Sequence, residues 1–412
     1  MKLKTCLSNI NLAITFLLLS WFFSPYLTRN MSKLVIAMLL ILWLASAIII
    51  ILNNKKIFIF HSVYLWLIAY GLFTIFYKTI EYSSHPWSTY CYKILVFFII
   101  FVFYFYKDYM DRSKLKVITC YSIFLYLFNL IDNIRLTYIY PNGSAALNFP
   151  SGEIYQSMNI GATYFVSGIT IFTCFCIGSF VGQKKQRIFY CITAILGMIF
   201  CVMSQRTTSL ILILLSIVFY FIHWGLKRFS YKQKLAILFF ICFVCLGFYI
   251  ILPYILEMIS DHIESPLISS RLDDLATFLK EGAFTENGSF STRIELQLMS
   301  FKTFCLNILT GVGYHNAVDG NYNLVGQHSE ILDAGAKYGL IGFISLLAII
   351  VLFYKENIQV YKNKPFFYAA QISYFVYFIL AVWSIVTHPT IFIVVYFMIP
   401  SILVLYKEKS ER

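Results

Sequence analysis

Two arginines and one histidine are the side chains in this sequence whose types best suit chemistry. Arg206, in VMSQRTTSLIL, and Arg293, in STRIELQL, carry planar guanidinium groups that pair with two phosphate oxygens and stay charged. His328, in GQHSEIL, has a side chain whose ordinary pKa is about 6.5, so it can accept a proton near neutral pH. This combination predicts phosphate binding together with general base catalysis.

Each of these residues also has a purely structural interpretation. Arg206 lies between two apolar runs, where it could simply extend its side chain to lipid headgroups. Arg293 adds a cation to a positive helix N-terminus, which is unfavourable unless an anion binds there or a salt bridge to Glu295 or Asp273 neutralises it. His328 could instead cap or pack against the start of a helix.

Arg271 is a third candidate for phosphate binding. It lies in SSRLDDL, where Asp273 and Asp274 stand beside it and would neutralise its charge. Because of these two neighbouring carboxylates, we rank Arg271 below the other two arginines.

A different pair, Asp333 and Lys337, is spaced four residues apart and is predicted to interact across one helical turn.

The stretch from Ser291 to Gly342 holds Arg293 and His328, and its pattern predicts how the arginine is positioned. Thr292 followed by Glu295 is typical of a capping box, which would begin a helix and place Arg293 in its first turn. An apolar stripe with spacings of three and four continues that helix through Ile294, Leu298, Phe301, Cys305 and Ile308.

The second half of this stretch predicts a turn followed by a transmembrane helix. Gly311 and Gly313 end the first helix because glycine adopts backbone conformations that other residues resist. After a polar loop, His328 opens the next helix. Its face carries mostly small residues that favour close helix packing: Leu332, Gly335, Gly339 and Gly342.

Composition identifies the chain as an integral membrane protein. Its 412 residues are 60% hydrophobic, 19% aromatic and only 12% charged. Most of the lysines and arginines behind the net charge of +13 fall in alternate loops and at the two termini, so no basic surface for nucleic acid is predicted. The pair Cys242 and Cys245 has no flanking histidine or carboxylate to complete a metal site, so we predict no metal and no cofactor.

Hydropathy predicts an all-α polytopic protein, a single integral membrane domain over residues 1–412 with about 12 transmembrane helices. The apolar runs lie near 8–27, 34–52, 57–77, 90–106, 117–132, 160–182, 188–204, 207–225, 235–257, 332–354, 366–386 and 389–406. Basic residues near 53–56, 107–116, 184–187, 226–234, 355–364 and from 407 onward place these loops and both termini in the cytoplasm.

Two outer loops are long. The loop at 133–159 is aromatic, and it either covers the site and contacts sugar or is a passive surface loop. The loop at 259–327, between helices 9 and 10, is the large extracytoplasmic loop and carries part of the candidate site. Within it, the serines at 269 and 270 predict the capped start of a helix with an apolar stripe, which would lie on the membrane surface or on the bundle.

The arginine-bearing helix, LTGVG, the polar loop and HSEILDAGAKYGLIG, together with SQRTTS, resemble the O-antigen polymerase and O-antigen ligase superfamily of bacterial envelope glycosyltransferases. The motif agreement covers about the last third of the chain and the surroundings of Arg206. The resemblance implies a multi-pass protein of the bacterial inner membrane.

The resemblance also implies a reaction. It is transfer of an oligosaccharide from undecaprenyl diphosphate to an acceptor hydroxyl, with inversion at the anomeric carbon and without a metal. Arg206 and Arg293 would stabilise the departing diphosphate, and His328 would be the base. A polysaccharide chain-length regulator is a candidate partner beside the lipid-linked sugar and the bilayer.

The acceptor is the point on which the two branches of this superfamily differ. We favour a polymerase that joins repeat units into O-antigen or capsular polysaccharide. The alternative is a ligase that moves the finished polymer onto lipid A-core. An alternative of another class is a flippase or transporter of lipid-linked oligosaccharide, but such proteins place their charges near the bilayer midplane rather than at one face.

Overall fold

The structure is a computed structural model that describes most of the chain. The described residues are 2–24, 27, 30–53, 59–80, 87–139, 167, 184–204, 207–226, 230, 233, 247, 250–262, 266–281, 289–313, 325–362 and 365–407. Within these ranges the secondary structure is helical and contains no strand, which confirms the all-α prediction for this part of the chain.

The helices follow the apolar runs of the sequence. They are α1 (Lys2–Phe23), α2 (Lys33–Asn53), α3 (Ser62–Ile80), α4 (Trp87–Asp108), α5 (Arg112–Ile139), α6 (Lys184–Met203), α7 (Thr207–Leu226), α8 (Pro266–Glu281), α9 (Ser289–Leu306), α10 (Glu330–Asn357), α11 (Pro365–Trp383), α12 (Pro389–Phe392) and α13 (Ile399–Lys407). A 3₁₀ turn at Gln359–Tyr361 follows α10, and a π-helix at Ile393–Met398 joins α12 to α13.

Four of the described helical segments are long and apolar enough to cross a membrane. They are Thr5–Phe23, Leu34–Asn53, Arg112–Ile139 and Glu330–Tyr361, with shorter apolar helices at Ser62–Tyr77, Arg187–Met203, Phe367–Trp383 and Pro389–Leu405. Of the predicted span at 160–182 only residue 167 is described, and of the span at 235–257 only residues 247 and 250–257 are described. The first outer loop begins later than predicted, because α5 continues to Ile139.

The chain divides into two compact units. The first comprises Met1–Ser216, Ile344–Ala381 and Val386–Arg412, and the second comprises Ile217–Phe343 and Val382–Ile385. The second unit contains α8, α9 and the first part of α10, so it holds the sequence stretch with Arg293 and His328.

A buried polar network ties α1, α2 and α4 together in the first unit. The Asn11 amide donates to the Ser46 hydroxyl at 2.7 Å, and the Trp43 indole donates to the Thr15 hydroxyl at 2.9 Å. The Tyr106 hydroxyl donates to the Asn11 carbonyl oxygen at 3.1 Å. Apolar faces bind one another weakly in lipid, so such hydrogen bonds between helices help to fix their register.

A second polar cluster in the first unit joins α3, α4 and the end of α10. The His61 imidazole lies 2.8 Å from the Asp108 carboxylate and 3.3 Å from the Glu356 carboxylate. Tyr104 donates to Glu356 at 2.6 Å and stacks on the His61 ring, while Asn357 donates to Tyr104 at 2.7 Å. The cluster anchors the end of α10, whose beginning lies in the second unit.

Candidate active site

Helix α9 positions Arg293 differently from the sequence prediction. The helix begins at Ser289, three residues before Thr292, so the predicted capping box of Thr292 and Glu295 is wrong. Arg293 therefore lies in the second turn and is partly buried. Because the helix dipole acts mainly within the first turn, the dipole argument for an anion at Arg293 loses most of its weight.

The glycine turn after α9 docks onto α10 through its backbone. Gly311 and Gly313 both have φ of 68°, as the predicted turn requires. The Val312 N–H donates to the Ala336 carbonyl at 2.9 Å, and the Gly313 N–H donates to the Lys337 carbonyl at 2.8 Å. The turn therefore supplies hydrogen-bond donors to two carbonyl groups of α10.

Both carbonyls lie within three residues of a break in α10 at Gly339. The sequence predicted one continuous transmembrane helix here, but Gly339 has φ 65° and ψ −157°. The Leu340 N–H donates across the break to the Ile308 carbonyl at 2.6 Å. Non-helical backbone within a membrane protein persists only where such partners exist. The part of α10 after the break is about 27 Å long, enough to cross most of the hydrocarbon layer.

Gly339→Ala is expected to destabilise the protein by about 3 kcal/mol or more and to abolish its activity. A Cβ at this position would lie 2.5 Å from the Leu309 carbonyl oxygen, and φ 65° is itself unfavourable for alanine. Thermal unfolding in detergent measures the loss. The matched control is Gly71→Ala in α3, where a Cβ meets only a side-chain atom at 3.9 Å. Equal unfolding temperatures for the two variants would contradict the interlocked break.

His328 lies just outside α10 rather than at its first residue. The helix begins at Glu330, and the Ser329 hydroxyl caps it by accepting from the Leu332 N–H at 3.1 Å. The preceding residue, Gln327, has φ of 58°, a conformation that is rare outside glycine. The prediction that His328 opens the helix is therefore corrected by two residues, and the imidazole belongs to a sharply bent segment before the cap.

Asp333 and Ser300 hold this bent segment against α9. The Ser300 hydroxyl donates to the Asp333 carboxylate at 2.6 Å and accepts from the Gly326 N–H at 2.8 Å. The Ser329 N–H donates to the other oxygen of Asp333 at 3.3 Å. Lys337 attracts Asp333 electrostatically, as the spacing of four residues predicts.

Arg293 and His328 are close enough to interact electrostatically. Burial lowers the pKa of the His328 imidazole below its ordinary value, and the Arg293 guanidinium lowers this pKa further, while Asp333 partly opposes both effects. The imidazole is therefore neutral at neutral pH and able to accept a proton. An arginine and a neutral histidine side by side suit a reaction that releases an anion and removes a proton.

The end of α11 also contacts this site within the second unit. The Gln297 amide of α9 donates to the Trp383 carbonyl at 3.1 Å. The Glu330 N–H, the first of α10, donates to the Ser384 carbonyl at 3.2 Å. Three segments that are distant in sequence thus position the start of α10.

The side chains of the other two candidate arginines, Arg206 and Arg271, lie outside what the structure describes. Arg206 lies outside the described residues. Arg271 lies in α8, but its side chain is outside what the structure describes. Helix α8 begins at Pro266, so the predicted capped start at Ser269 is wrong, because proline is itself favourable at the first helical position. The helix packs on α9 and is further tied by Lys280 to Glu257 at 2.6 Å.

Sequence reasoning assigned no role at the site to Ser300 or Gly326. A usable signal was present for Ser300, because a serine inside a helix is unfavourable unless its hydroxyl has a partner. Gly326 carried a weaker signal. A Cβ there would lie 2.0 Å from the Leu296 carbonyl oxygen, so only glycine allows this approach to α9.

Comparison with known proteins agrees with the motifs around these residues. Residues 192–347 match the family model described as O-antigen ligase. The match includes α9, the glycine turn, His328 and α10 as far as residue 347. No curated protein sequence matches the chain.

Proposed function

We propose, from the match of residues 192–347 to the family model described as O-antigen ligase, that this chain is a glycosyltransferase of that superfamily and a polymerase of surface polysaccharide. It transfers an oligosaccharide from undecaprenyl diphosphate to a hydroxyl of a second lipid-linked repeat unit. The reaction takes place at the outer face of the inner membrane, where the pattern of basic loops puts the segment before α10.

One observation carries this proposal. Arg293, from α9, and His328, from the bent segment before α10, lie within electrostatic reach of each other, beside the start of an apolar helix. A lipid-linked donor needs a site of this kind, since its diphosphate stays at the membrane surface while its polyprenyl tail stays in hydrocarbon. The sequence contains no phosphate-binding loop of the Walker type, which also favours a donor that arrives on a lipid.

The chemistry follows from these two side chains. The acceptor oxygen bonds to the anomeric carbon from the face opposite the diphosphate, and the bond from that carbon to the diphosphate oxygen breaks. The His328 imidazole takes the hydroxyl proton, and Arg293 stabilises the charge that develops on the diphosphate. A single displacement of this kind inverts the anomeric configuration. We assign Arg206 to the same diphosphate, on the resemblance of SQRTTS alone.

The second candidate function is the ligase. The description of the matching family, O-antigen ligase, favours it, and the donor and both candidate side chains would serve it equally. The acceptor would then be lipid A-core instead of a second repeat unit. The ligase and the polymerase therefore differ only in the acceptor that binds opposite the donor.

Deletion of the gene separates these functions. A strain that lacks a polymerase should carry single repeat units on its surface anchor, because the ligase of the cell still transfers them. Surface polysaccharide separated on a gel should show this one-repeat band, and plasmid copies of the gene should restore the polymer ladder. Bare core with full-length polymer retained on the carrier lipid would establish the ligase instead. Bare core with no polymer on either lipid would contradict both.

A further inference from the structure

Asp333 is a buried carboxylate that the proposed chemistry does not yet use. Asp333 is only 4% exposed, and its hydrogen-bond partner in α9, Ser300, is fully buried. Removing a carboxylate from water costs several kcal/mol unless hydrogen bonds and charges compensate for it. The compensation here comes from Ser300, the Ser329 backbone and the Lys337 charge.

These contacts fix both ends of the short segment that carries His328. Asp333 holds Ser329 directly through its backbone N–H, at 3.3 Å. It holds Gly326 through the Ser300 hydroxyl, which donates to the carboxylate and accepts from the Gly326 N–H. The sharp bend at Gln327 lies between these two anchors. A change at Asp333 would therefore release the backbone on both sides of the imidazole.

Asp333 also opposes Arg293 electrostatically at His328. Arg293 acts on the imidazole from α9 and disfavours its protonated form, while Asp333 acts from α10 and favours it. Glu330 and Lys337, both buried, are the other charged side chains on the first turns of α10, and they repel and attract Asp333 respectively. Without the Asp333 charge, the effect of Arg293 on the imidazole would be unopposed.

We propose that Asp333 is a positioning residue for His328, holding the bent segment through Ser300 and the Ser329 backbone so that the imidazole stays beside Arg293. The inference rests on the proposed function only where it treats His328 as the base. The geometric part concerns the imidazole itself and can be tested without any activity.

The test is titration of His328 in the full-length protein by diethyl pyrocarbonate, which modifies the neutral imidazole. Mass spectrometry of the peptide that contains His328 gives the extent of modification at each pH. In Asp333→Asn, the midpoint for His328 should move to lower pH, because Arg293 is then unopposed. The exposed His262 serves as an internal reference whose midpoint should not move.

Transfer measured in membrane vesicles across the same pH range gives the second readout. Asp333→Asn should lower the maximal rate about tenfold or more, as expected for a base held in a less favourable geometry, and should move the acid limb of the profile in the same direction as the titration. Ser300→Ala keeps the carboxylate but removes the link to Gly326, so it should lower the maximal rate with a midpoint near that of the wild type.

Three results would decide the matter. An unchanged His328 midpoint in Asp333→Asn would overturn the proposal, even if transfer were lost. If that variant failed to insert, wild-type transfer in Ser300→Ala would overturn it instead. A shifted midpoint combined with full transfer in His328→Ala would support the positioning role and contradict the proposed base, so the two failures are distinguishable.

Discussion

Replacing His328 with alanine is expected to lower transfer by about 10²–10⁴-fold, the usual contribution of a general base. The acceptor hydroxyl must lose its proton as it attacks, and no neutral imidazole would remain beside Arg293 to accept it. The variant should still insert and fold, because the helix cap is formed by Ser329 and the anchors by Asp333 and Ser300. The measurement is polymer formed by membrane vesicles from a lipid-linked repeat unit.

The lowered pKa of His328 also predicts how transfer by the wild-type protein depends on pH. A base works in its neutral form, and burial and Arg293 both lower the pKa of His328. Activity should therefore persist through the ordinary imidazole range and fall only at more acidic pH. The matched control is His262→Ala, since His262 is exposed and its imidazole lies 2.7 Å from the Met258 carbonyl, four residues earlier in the helical segment 250–262. A wild-type acid limb at or above about pH 6.5, or full activity in His328→Ala, would show that the base lies elsewhere.

The sequence predicted the two helices of this site and the glycine turn between them because their causes are local, but it misplaced the start of each helix. The apolar stripe of α9, the positive φ at Gly311 and Gly313, and the apolar run of α10 each depend on residues a few positions apart. Arg293 and His328 were grouped only through the resemblance and through a predicted common membrane face. The all-α class follows from apolar runs that are each about the length of a transmembrane helix, together with the resemblance.

The arrangement around His328 could not be predicted in the same way. In the sequence, Gly339 cannot be distinguished from an ordinary small residue within a helix. The break there depends on the turn at Ile308 to Gly313, whose backbone forms hydrogen bonds with the α10 backbone around Gly339. The link from Asp333 to Ser300 joins residues that are 33 positions apart, and nothing in either local pattern indicates the other. The spacing in the sequence predicted one partner of Asp333, which is Lys337, and did not predict Ser300 in α9.

Arg293→Ala is expected to reduce transfer by about 10²–10³-fold, as removal of one donor to a developing negative charge does in other enzymes. Arg293→Lys should recover only part of this loss, because lysine supplies the charge without the planar pair of N–H donors that fits two phosphate oxygens. Steady-state rates over a range of lipid-linked donor concentrations measure both variants. Lys302→Ala is the matched control, since Lys302 is an exposed cation on the same helix.

The same substitution should also change the acid limb of the pH profile. Arg293 lowers the pKa of His328, so its removal raises that pKa and moves the residual activity to more basic pH. Asp333→Asn moves the limb the opposite way, because that carboxylate raises the same pKa. Opposite shifts from two residues on two helices would locate the titrating group between them. Full transfer in Arg293→Lys, or a limb that stays in place in Arg293→Ala, would contradict the pairing of this arginine with the diphosphate and with His328.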